Sequence, residues 1–166
     1  DWFCSKSERP LLPPAKELFI RSDTFPTEWI IPTSGTTGTP KLISHTLKSL
    51  SRSVKSDIKK GGGFSWGLMY QLSRFAGLQV FLQSFMSGSK LVLTDPADTP
   101  SSILNDLESG QCNALSATPT MYRKLMMTGL LSRIKLKQIT LGGEIADQQV
   151  LNSVKRLYPD ARVIHV

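Results

Sequence analysis

Residues 30 to 41 read Ile-Ile-Pro-Thr-Ser-Gly-Thr-Thr-Gly-Thr-Pro-Lys. The apolar residues that lead into this segment, Trp29 to Ile31, predict the end of a strand, and the polar residues after them predict a loop. Glycines let backbone N–H groups turn toward an anion without a Cβ in the way, and hydroxyl groups add donors. Lys41 adds a positive charge where the loop ends. The segment therefore suits polyphosphate binding, with an ordinary surface loop as the alternative.

The common P-loop is excluded at this segment. That motif needs a glycine directly before a Lys-Ser or Lys-Thr pair, because the glycine backbone and the hydroxyl both serve the nucleotide. Here Pro40 precedes Lys41 and Leu42 follows it.

Composition indicates one globular domain. The chain has 166 residues, 40% hydrophobic and 20% charged, with a formal charge of +7. The basic residues are scattered, and no aromatic-interleaved basic patch is present, so we expect solvated surfaces rather than nucleic-acid binding. No apolar run approaches the length of a membrane span. Cys4 and Cys112 lack neighbours at metal-ligand spacing, which favours two reduced thiols in a cytoplasmic protein and no metal site.

The chain divides into an irregular lead-in at residues 1–28, rich in proline and charge, and an α/β core at 29–166. Strands are predicted at 29–32, 90–94, 113–117, 138–141 and 162–166. Helices are predicted at 42–58, 68–86, 101–108, 119–127 and 148–158, the first of them aiming its N-terminus at the loop. Short apolar strands that alternate with helices predict a mostly parallel sheet with helices on both faces.

Three turns follow predicted strands: the loop after Ile31, the Thr118-Pro119 turn and the Gly142-Gly143-Glu144 turn. Ligands of such sheets bind beyond the carboxyl ends of the strands. We therefore expect the three turns to lie together at one edge.

The nine residues from Thr33 to Lys41 resemble the signature loop of the adenylate-forming (AMP-binding) superfamily, which contains acyl- and aryl-CoA synthetases, luciferases and the adenylation domains of peptide synthetases. The resemblance implies that this loop holds the β- and γ-phosphates of ATP while a carboxylate attacks the α-phosphate. It also implies catalytic roles for Lys41 and Thr37. The implied ATP-binding residues of the loop are Thr33, Ser34, Gly35, Thr36, Thr37, Gly38 and Lys41.

Weaker matches follow downstream. Residues 139–144 (Ile-Thr-Leu-Gly-Gly-Glu) are similar to the family turn that lies along the adenine ring, which implies nucleotide contacts for Gly142, Gly143 and Glu144. Residues 72–80 are similar to the family helix that lines the acyl pocket, but Arg74 stands where many members have histidine. One hypothesis is that Arg74 pairs with a second anionic group on the substrate. The alternative is a surface arginine on an amphipathic helix.

The family's later Thr-Glu motif, its magnesium ligand and its catalytic C-terminal lysine have no counterpart in the sequence, so the resemblance covers only the middle of a family member. It implies the core of an ATP-dependent carboxylate ligase, an AMP-forming acid–thiol ligase that makes an acyl-adenylate and then an acyl thioester. ATP, Mg²⁺ with its ligand outside this chain, a small carboxylic acid, and a coenzyme A or carrier-protein thiol are the expected cofactors and partners. We expect this fragment alone to be inactive. A non-catalytic nucleotide-binding or interaction module is the alternative.

Overall fold

The computed structural model describes residues 27–33 and 41–166. The phosphate-loop residues Ser34, Gly35, Thr36, Thr37 and Gly38, and all but the last two residues of the predicted lead-in, lie outside the described residues. The described strands are β1 (Glu28–Pro32), β2 (Leu42–Thr46), β3 (Ser65–Leu68), β4 (Lys90–Leu93), β5 (Ala114–Ala117), β6 (Gln138–Leu141) and β7 (Arg162–His165). The described helices are α1 (Leu47–Leu50), α2 (Ile58–Gly61), α3 (Phe75–Ser87), α4 (Pro100–Ser109), α5 (Pro119–Met127) and α6 (Gln148–Leu157), with a 3₁₀ turn at Leu131–Arg133.

Five of these strands form one parallel sheet in the order β4-β3-β5-β6-β7. The α/β class and the mostly parallel sheet predicted from the sequence are confirmed. The strand register aligns residues in rows across the sheet, and one such row joins Trp66, Ala114, Gln138 and Arg162. The next row on the same side joins Leu68, Ser116, Thr140 and Ile164. Because side chains alternate along a strand, these two rows share one face of the sheet.

The opposite face, here called the apolar face, carries Leu115, Ala117, Ile139 and Leu141, all fully buried. Helices α4, α5 and α6 cover it and form the main core together with Tyr122, which is also fully buried. The Tyr122 hydroxyl donates to the carbonyl oxygen of Leu115 at 2.7 Å, so the one polar atom of this large side chain is satisfied inside the core.

The face that carries Ser116, Gln138, Thr140 and Ile164, here called the cavity face, is covered differently. Helix α3 packs over its β3 and β4 end through a cluster that includes Trp66, Leu68 and Val80. Toward β5, β6 and β7 the same face becomes polar and borders a cavity. Helices therefore lie on both sides of the sheet, as predicted, but they fill only one side completely.

The prediction of a single helix at 42–58 is wrong. Residues Leu42–Thr46 instead form β2, which pairs antiparallel with β1 from Glu28↔Thr46 to Pro32↔Leu42. Two one-turn helices, α1 and α2, follow. The apolar residues that suggested one long helix include a five-residue step from Leu42 to Leu47, which does not fit a 3.6-residue period. Pairing with β1 satisfies the backbone on both sides of the loop, and a helix would leave β1 without a partner.

The helix predicted at 68–86 begins later than expected, and the strand before it was missed. Leu68 ends β3, a fully buried four-residue strand, and α3 begins at Phe75. The strand contains Gly67, which weakened its signal, but packing requires a residue without a side chain there: a Cβ on Gly67 would lie 2.5 Å from Leu107 Cδ2.

Most other predicted elements are confirmed within a residue or two. Helix α5 begins at Pro119 and α6 is capped by Asp147, whose side chain accepts a hydrogen bond from the N–H of Val150 at 2.9 Å. Gly88 ends α3 in the left-handed conformation with φ 64°. Helix α4 begins one residue earlier than predicted, because Pro100 takes the first helical position and the Thr99 side chain caps the helix by accepting from the Ser102 N–H.

Candidate nucleotide and acid site

A cavity of about 900 Å³ lies on the cavity face, between α3 and strands β5, β6 and β7. Its walls are mostly apolar, and a few polar side chains enter it, which is the usual make-up of a small-molecule site. One of its ends is formed by Thr33, Gly142 and Gly143, so it opens at the carboxyl ends of the strands.

The two ends of the predicted phosphate loop are tied together at this opening. The N–H of Thr33 donates to the carbonyl oxygen of Lys41 at 2.8 Å, and the N–H of Lys41 donates to Thr33 Oγ1 at 3.3 Å. Thr33 lines the cavity and the side chain of Lys41 is exposed. The β1–β2 hairpin is a separate two-stranded sheet. The sequence instead predicted that the strand before the loop belongs to the parallel sheet. The hairpin is anchored beside the parallel sheet, because Ile31 and Leu50 pack against Leu78 and Leu82 of α3.

The predicted adenine turn lies across the opening from Thr33. Gly142 and Gly143 line the cavity directly after β6. Gly143 has φ 80°, a conformation that strains residues with a side chain. A Cβ on Gly142 would meet nothing closer than 4.0 Å, so this backbone is open to a flat ligand. The turn and the loop ends meet at one cavity, as the sequence predicted.

Glu144 holds this turn to the start of α5. Its Oε2 accepts hydrogen bonds from Thr120 Oγ1 at 2.6 Å and from the Thr120 N–H at 3.1 Å. These bonds, chiefly that from the Thr120 hydroxyl, lower the pKa of Glu144. This carboxylate oxygen therefore joins the turn after β6 to the first turn of α5.

Arg74 lies at the N-terminal end of α3, where it occupies the capping position without a side-chain capping bond. It is exposed and lines the same cavity as Thr33 and Gly142. Next to it, the rings of Phe75 and His45 lie 5.6 Å apart and connect α3 to β2. Arg74 thus begins α3 on the side of the sheet edge at which β3 ends.

Two glutamines one turn apart hold the wall of the cavity. Gln79 accepts from Ser53 Oγ at 2.9 Å and donates to the Leu50 carbonyl at 2.7 Å. Gln83 accepts from the N–H of Lys55 and donates to its carbonyl, both at 3.0 Å. Because each amide both donates to and accepts from the segment from Leu50 to Lys55, that segment is fixed against α3.

The polar floor of the cavity was missed by sequence reasoning. Ser116, Gln138 and Thr140 line it from adjacent strands, and Tyr70 lines it above them. Burial raises the pKa of the Tyr70 phenol, so the hydroxyl is protonated and able to donate. The available signal was a polar residue inside an otherwise apolar strand, as with Ser116 in Ala-Leu-Ser-Ala and Thr140 in Gln-Ile-Thr-Leu.

A metal site and a membrane segment were not expected from the sequence. Within residues 27–33 and 41–166, no three His, Cys, Asp or Glu side chains are grouped to hold a metal ion. Helices of the described part of the chain are all too short or too polar to cross a bilayer. Cys112 is buried against the Ala114 carbonyl, and burial raises the pKa of its thiol to about 11, so it is protonated at neutral pH.

A parallel sheet with glycine turns at its carboxyl edge and a mostly apolar cavity beside them is typical of a ligand-binding α/β domain. The model of the AMP-binding enzyme family matches residues 26–166. The chain therefore belongs to the AMP-binding enzyme family, which confirms the resemblance drawn from the loop.

Known relatives agree with this assignment. The chain is 26% identical over 145 residues to tyrocidine synthase 3 of Brevibacillus parabrevis, a match that covers 82% of the chain and 2% of that protein. It is similar to O-succinylbenzoate coenzyme A synthetase (MenE) of Bacillus subtilis solved in complex with AMP, with 25% identity and a TM-score of 0.64 over 81% of this chain and 34% of that one. The luciferase-like enzyme of Zophobas morio shares the fold, with a TM-score of 0.68 and 20% identity over 93% of this chain and 38% of that one.

The chain thus spans about a third of the length of these solved structures and a small part of the peptide synthetase.

Proposed function

We propose that the protein is an ATP-dependent carboxylate ligase of the cytoplasm and that this chain forms the part of it that binds the nucleotide and the acid. The acid is first converted to an acyl-adenylate and then to a thioester with coenzyme A or a carrier-protein thiol. The observation that carries the proposal is the meeting of the phosphate-loop ends and the Gly142–Gly143 turn at the mouth of one cavity of about 900 Å³.

The reaction needs the attacking carboxylate oxygen, the α-phosphorus and the oxygen of the departing pyrophosphate in line at this mouth. A carboxylate oxygen of the acid attacks the α-phosphorus of ATP, the bond from that phosphorus to the β-bridging oxygen breaks, and pyrophosphate leaves with the electron pair. A thiolate then attacks the acyl carbon and AMP leaves. Bound magnesium would neutralise phosphate charge, and its ligands are expected outside this chain.

In this proposal the loop and Lys41 act on the departing pyrophosphate. Thr33, Ser34, Gly35, Thr36, Thr37 and Gly38 supply backbone and hydroxyl donors, and Lys41 supplies a full positive charge where negative charge grows. The pairing of Thr33 with Lys41 supports this role, because it holds the two loop ends at the cavity mouth.

Gly142 and Gly143 would lie against the adenine ring, and Glu144 would keep that turn in place through Thr120. Arg74 would bind an anionic group of the substrate. Its position at the start of α3 favours the carboxylate that is activated, or the adenylate phosphate formed from it, over a group deep in the cavity.

The test is ATP–pyrophosphate exchange by the full-length protein across a panel of carboxylic acids. At least one acid should support exchange, and Lys41→Ala or Thr37→Ala should lower the rate by about 10²- to 10³-fold, the usual loss when a donor to developing charge is removed. Lys48→Ala is the matched control, because Lys48 carries the same charge on α1 and does not line the cavity.

Two results would contradict the proposal. ATP binding without exchange for any acid would favour a non-catalytic nucleotide-binding module. No binding of ATP at all would remove the nucleotide site itself.

A further inference from the structure

A second cavity, of about 500 Å³, adjoins the first at its far end. Trp66, Gln83 and Gln138 line both cavities. The first cavity includes Arg74, next to the first residue of α3, and the second includes Ser87, its last residue. The thirteen residues of α3 span about 20 Å, so the two cavities together follow the whole helix.

The far cavity differs from the first in charge. Three cations line it, Lys55, Lys60 and Arg162, against the single carboxylate of Asp57. Asp57 already pairs with Lys60 at 3.6 Å. Lys55 and Arg162 have no side-chain partner within residues 27–33 and 41–166, so the far end carries an excess of positive charge.

The strand register places Arg162 on β7, the last strand of the described sheet, where its exposed side chain lines this cavity. Arg162 pairs with Gln138, Gln138 with Ala114, and Ala114 with Trp66, all in one row across the sheet. Trp66 is 7% exposed, and its Nε1 is buried without a hydrogen-bond partner in the described part of the chain. Buried donors are nearly always paired in native proteins, so this N–H, three strands from Arg162 in the same row, is consistent with an acceptor that a ligand brings to the middle of the joined cavity.

The middle of the joined cavity is polar as well. Ser116, Thr140 and Gln138 line the first cavity, and Gln138 lines the second as well. Ser116 shares a side-chain hydrogen bond with Tyr70, whereas the side chains of Thr140 and Gln138 have no bond to another described residue. A plain hydrocarbon tail would leave these two groups desolvated and unpaired, which disfavours its binding.

We propose that the acid activated at this site carries a second anionic group of the carboxylate class, bound at the far end by Arg162 with Lys55 nearby. The proposal rests on the proposed function, since it names the substrate of the same site. The distance follows from α3: nine residues separate Arg74, placed at the activated carboxylate, from Gln83, which lines both cavities, so the two anionic groups are roughly 13 Å apart.

The experiment compares matched acids in the full-length protein. Each straight-chain dicarboxylic acid is paired with the monocarboxylic acid of equal length, and both exchange kinetics and calorimetric binding are measured. A dicarboxylic acid long enough to span roughly 13 Å should be preferred by about tenfold in kcat/KM and in affinity, as a charge-assisted bond allows. Acids too short to span that distance should show no such preference.

Variants test whether Arg162 causes the preference for dicarboxylic acids. Arg162→Gln should lower the ratio of dicarboxylic to monocarboxylic acid by about tenfold, and Arg162→Glu should reverse it in favour of an acid with a distal ammonium group. Arg156→Gln, an exposed arginine of α6 that lines neither cavity, is the control and should leave the ratio unchanged. Thermal unfolding of each variant checks that the comparison is between folded proteins.

The outcomes separate this proposal from the function it rests on. Equal use and equal binding of matched acids at every length, or a preference that survives Arg162→Gln, would overturn it. A binding preference that depends on Arg162, without pyrophosphate exchange, would support the distal site while contradicting ligase activity.

Discussion

The two faces of the parallel sheet are built from alternate residues of the same short strands, yet they serve different ends. On β6, Ile139 and Leu141 are fully buried under helices, whereas Gln138 and Thr140 border a cavity. On β5, Leu115 is likewise buried in the core, and Ser116 borders the cavity. The apolar face holds the fold together, and the cavity face is kept unfilled and polar. On β6, core residues therefore occupy the odd positions and cavity-lining residues the even ones.

The largest expected effect comes from Ile139→Ala on the apolar face. Removing this fully buried side chain should cost about 2–5 kcal/mol of unfolding free energy, because the closely packed cluster around it cannot collapse into the space. Thr140→Ala, one residue along on the cavity face, should cost less than about 1 kcal/mol. Urea unfolding of both variants measures the difference, and equal losses would contradict the division of the two faces.

Two glycines give a second comparison. Gly67→Ala should destabilise by about 1–3 kcal/mol, since the added Cβ would meet Leu107 and Leu115 at 2.5 and 2.8 Å in the core. Gly142→Ala should change stability by no more than about 0.5 kcal/mol, because nothing lies within 4.0 Å. Its effect should instead fall on nucleotide affinity, measured by titration with ATP. An unchanged unfolding free energy for Gly67→Ala would contradict the close packing of Leu107 and Leu115 around this residue.

The polar floor should affect specificity more than stability. Thr140→Val keeps the shape of the side chain and removes its hydroxyl, so we expect a change of about 2- to 10-fold in kcat/KM between acids that differ in polar groups. Unfolding free energy should remain within about 0.5 kcal/mol of the parent. Unchanged ratios across the acid panel would indicate that the hydroxyl does not face the substrate.

The smallest expected effect concerns Glu144. Its pKa is lowered in the folded protein by the bonds to Thr120, so its contribution to stability is present above the ordinary value of 4.5 and is lost as pH falls through the folded value. Stability measured from neutral pH down to pH 3 should show Glu144→Gln below the parent at neutral pH, with the gap closing in acid. Because the carboxylate is exposed, the gap should be well under 1 kcal/mol. A stability difference that is constant with pH would indicate that the hydrogen bonds from Thr120 do not depend on the negative charge of Glu144.

Local signals predicted the later elements well and the earlier ones poorly. Pro119, Asp147 and Gly88 mark helix ends by their own backbone or capping chemistry, so α5, α6 and the end of α3 could be predicted. The region from residue 42 to 68 depends on partners far along the chain. Residues Leu42–Thr46 form a strand because β1 faces them, and Ser65–Leu68 is a strand because β4 and β5 flank it.

The candidate site was predicted in part for the same reason. Thr33, Gly142 and Gly143 were found because their motif can be recognised along the chain, and the cavity brings them together. The role of Glu144 could not be predicted, since its partner Thr120 lies 24 residues away. The polar floor and the cationic far end arise from strand register alone, which no stretch of neighbouring residues records.

The sequence by itself determined the α/β class and the family, and it predicted the phosphate loop, because turns, caps and the loop motif act through residues that are adjacent in the chain. Only the tertiary structure decided which strand residues face a core and which face a cavity, how Thr33 is paired with Lys41, and that a basic pocket adjoins the first cavity. Those properties depend on register and packing between segments tens of residues apart, where a shift of one residue would exchange the two faces.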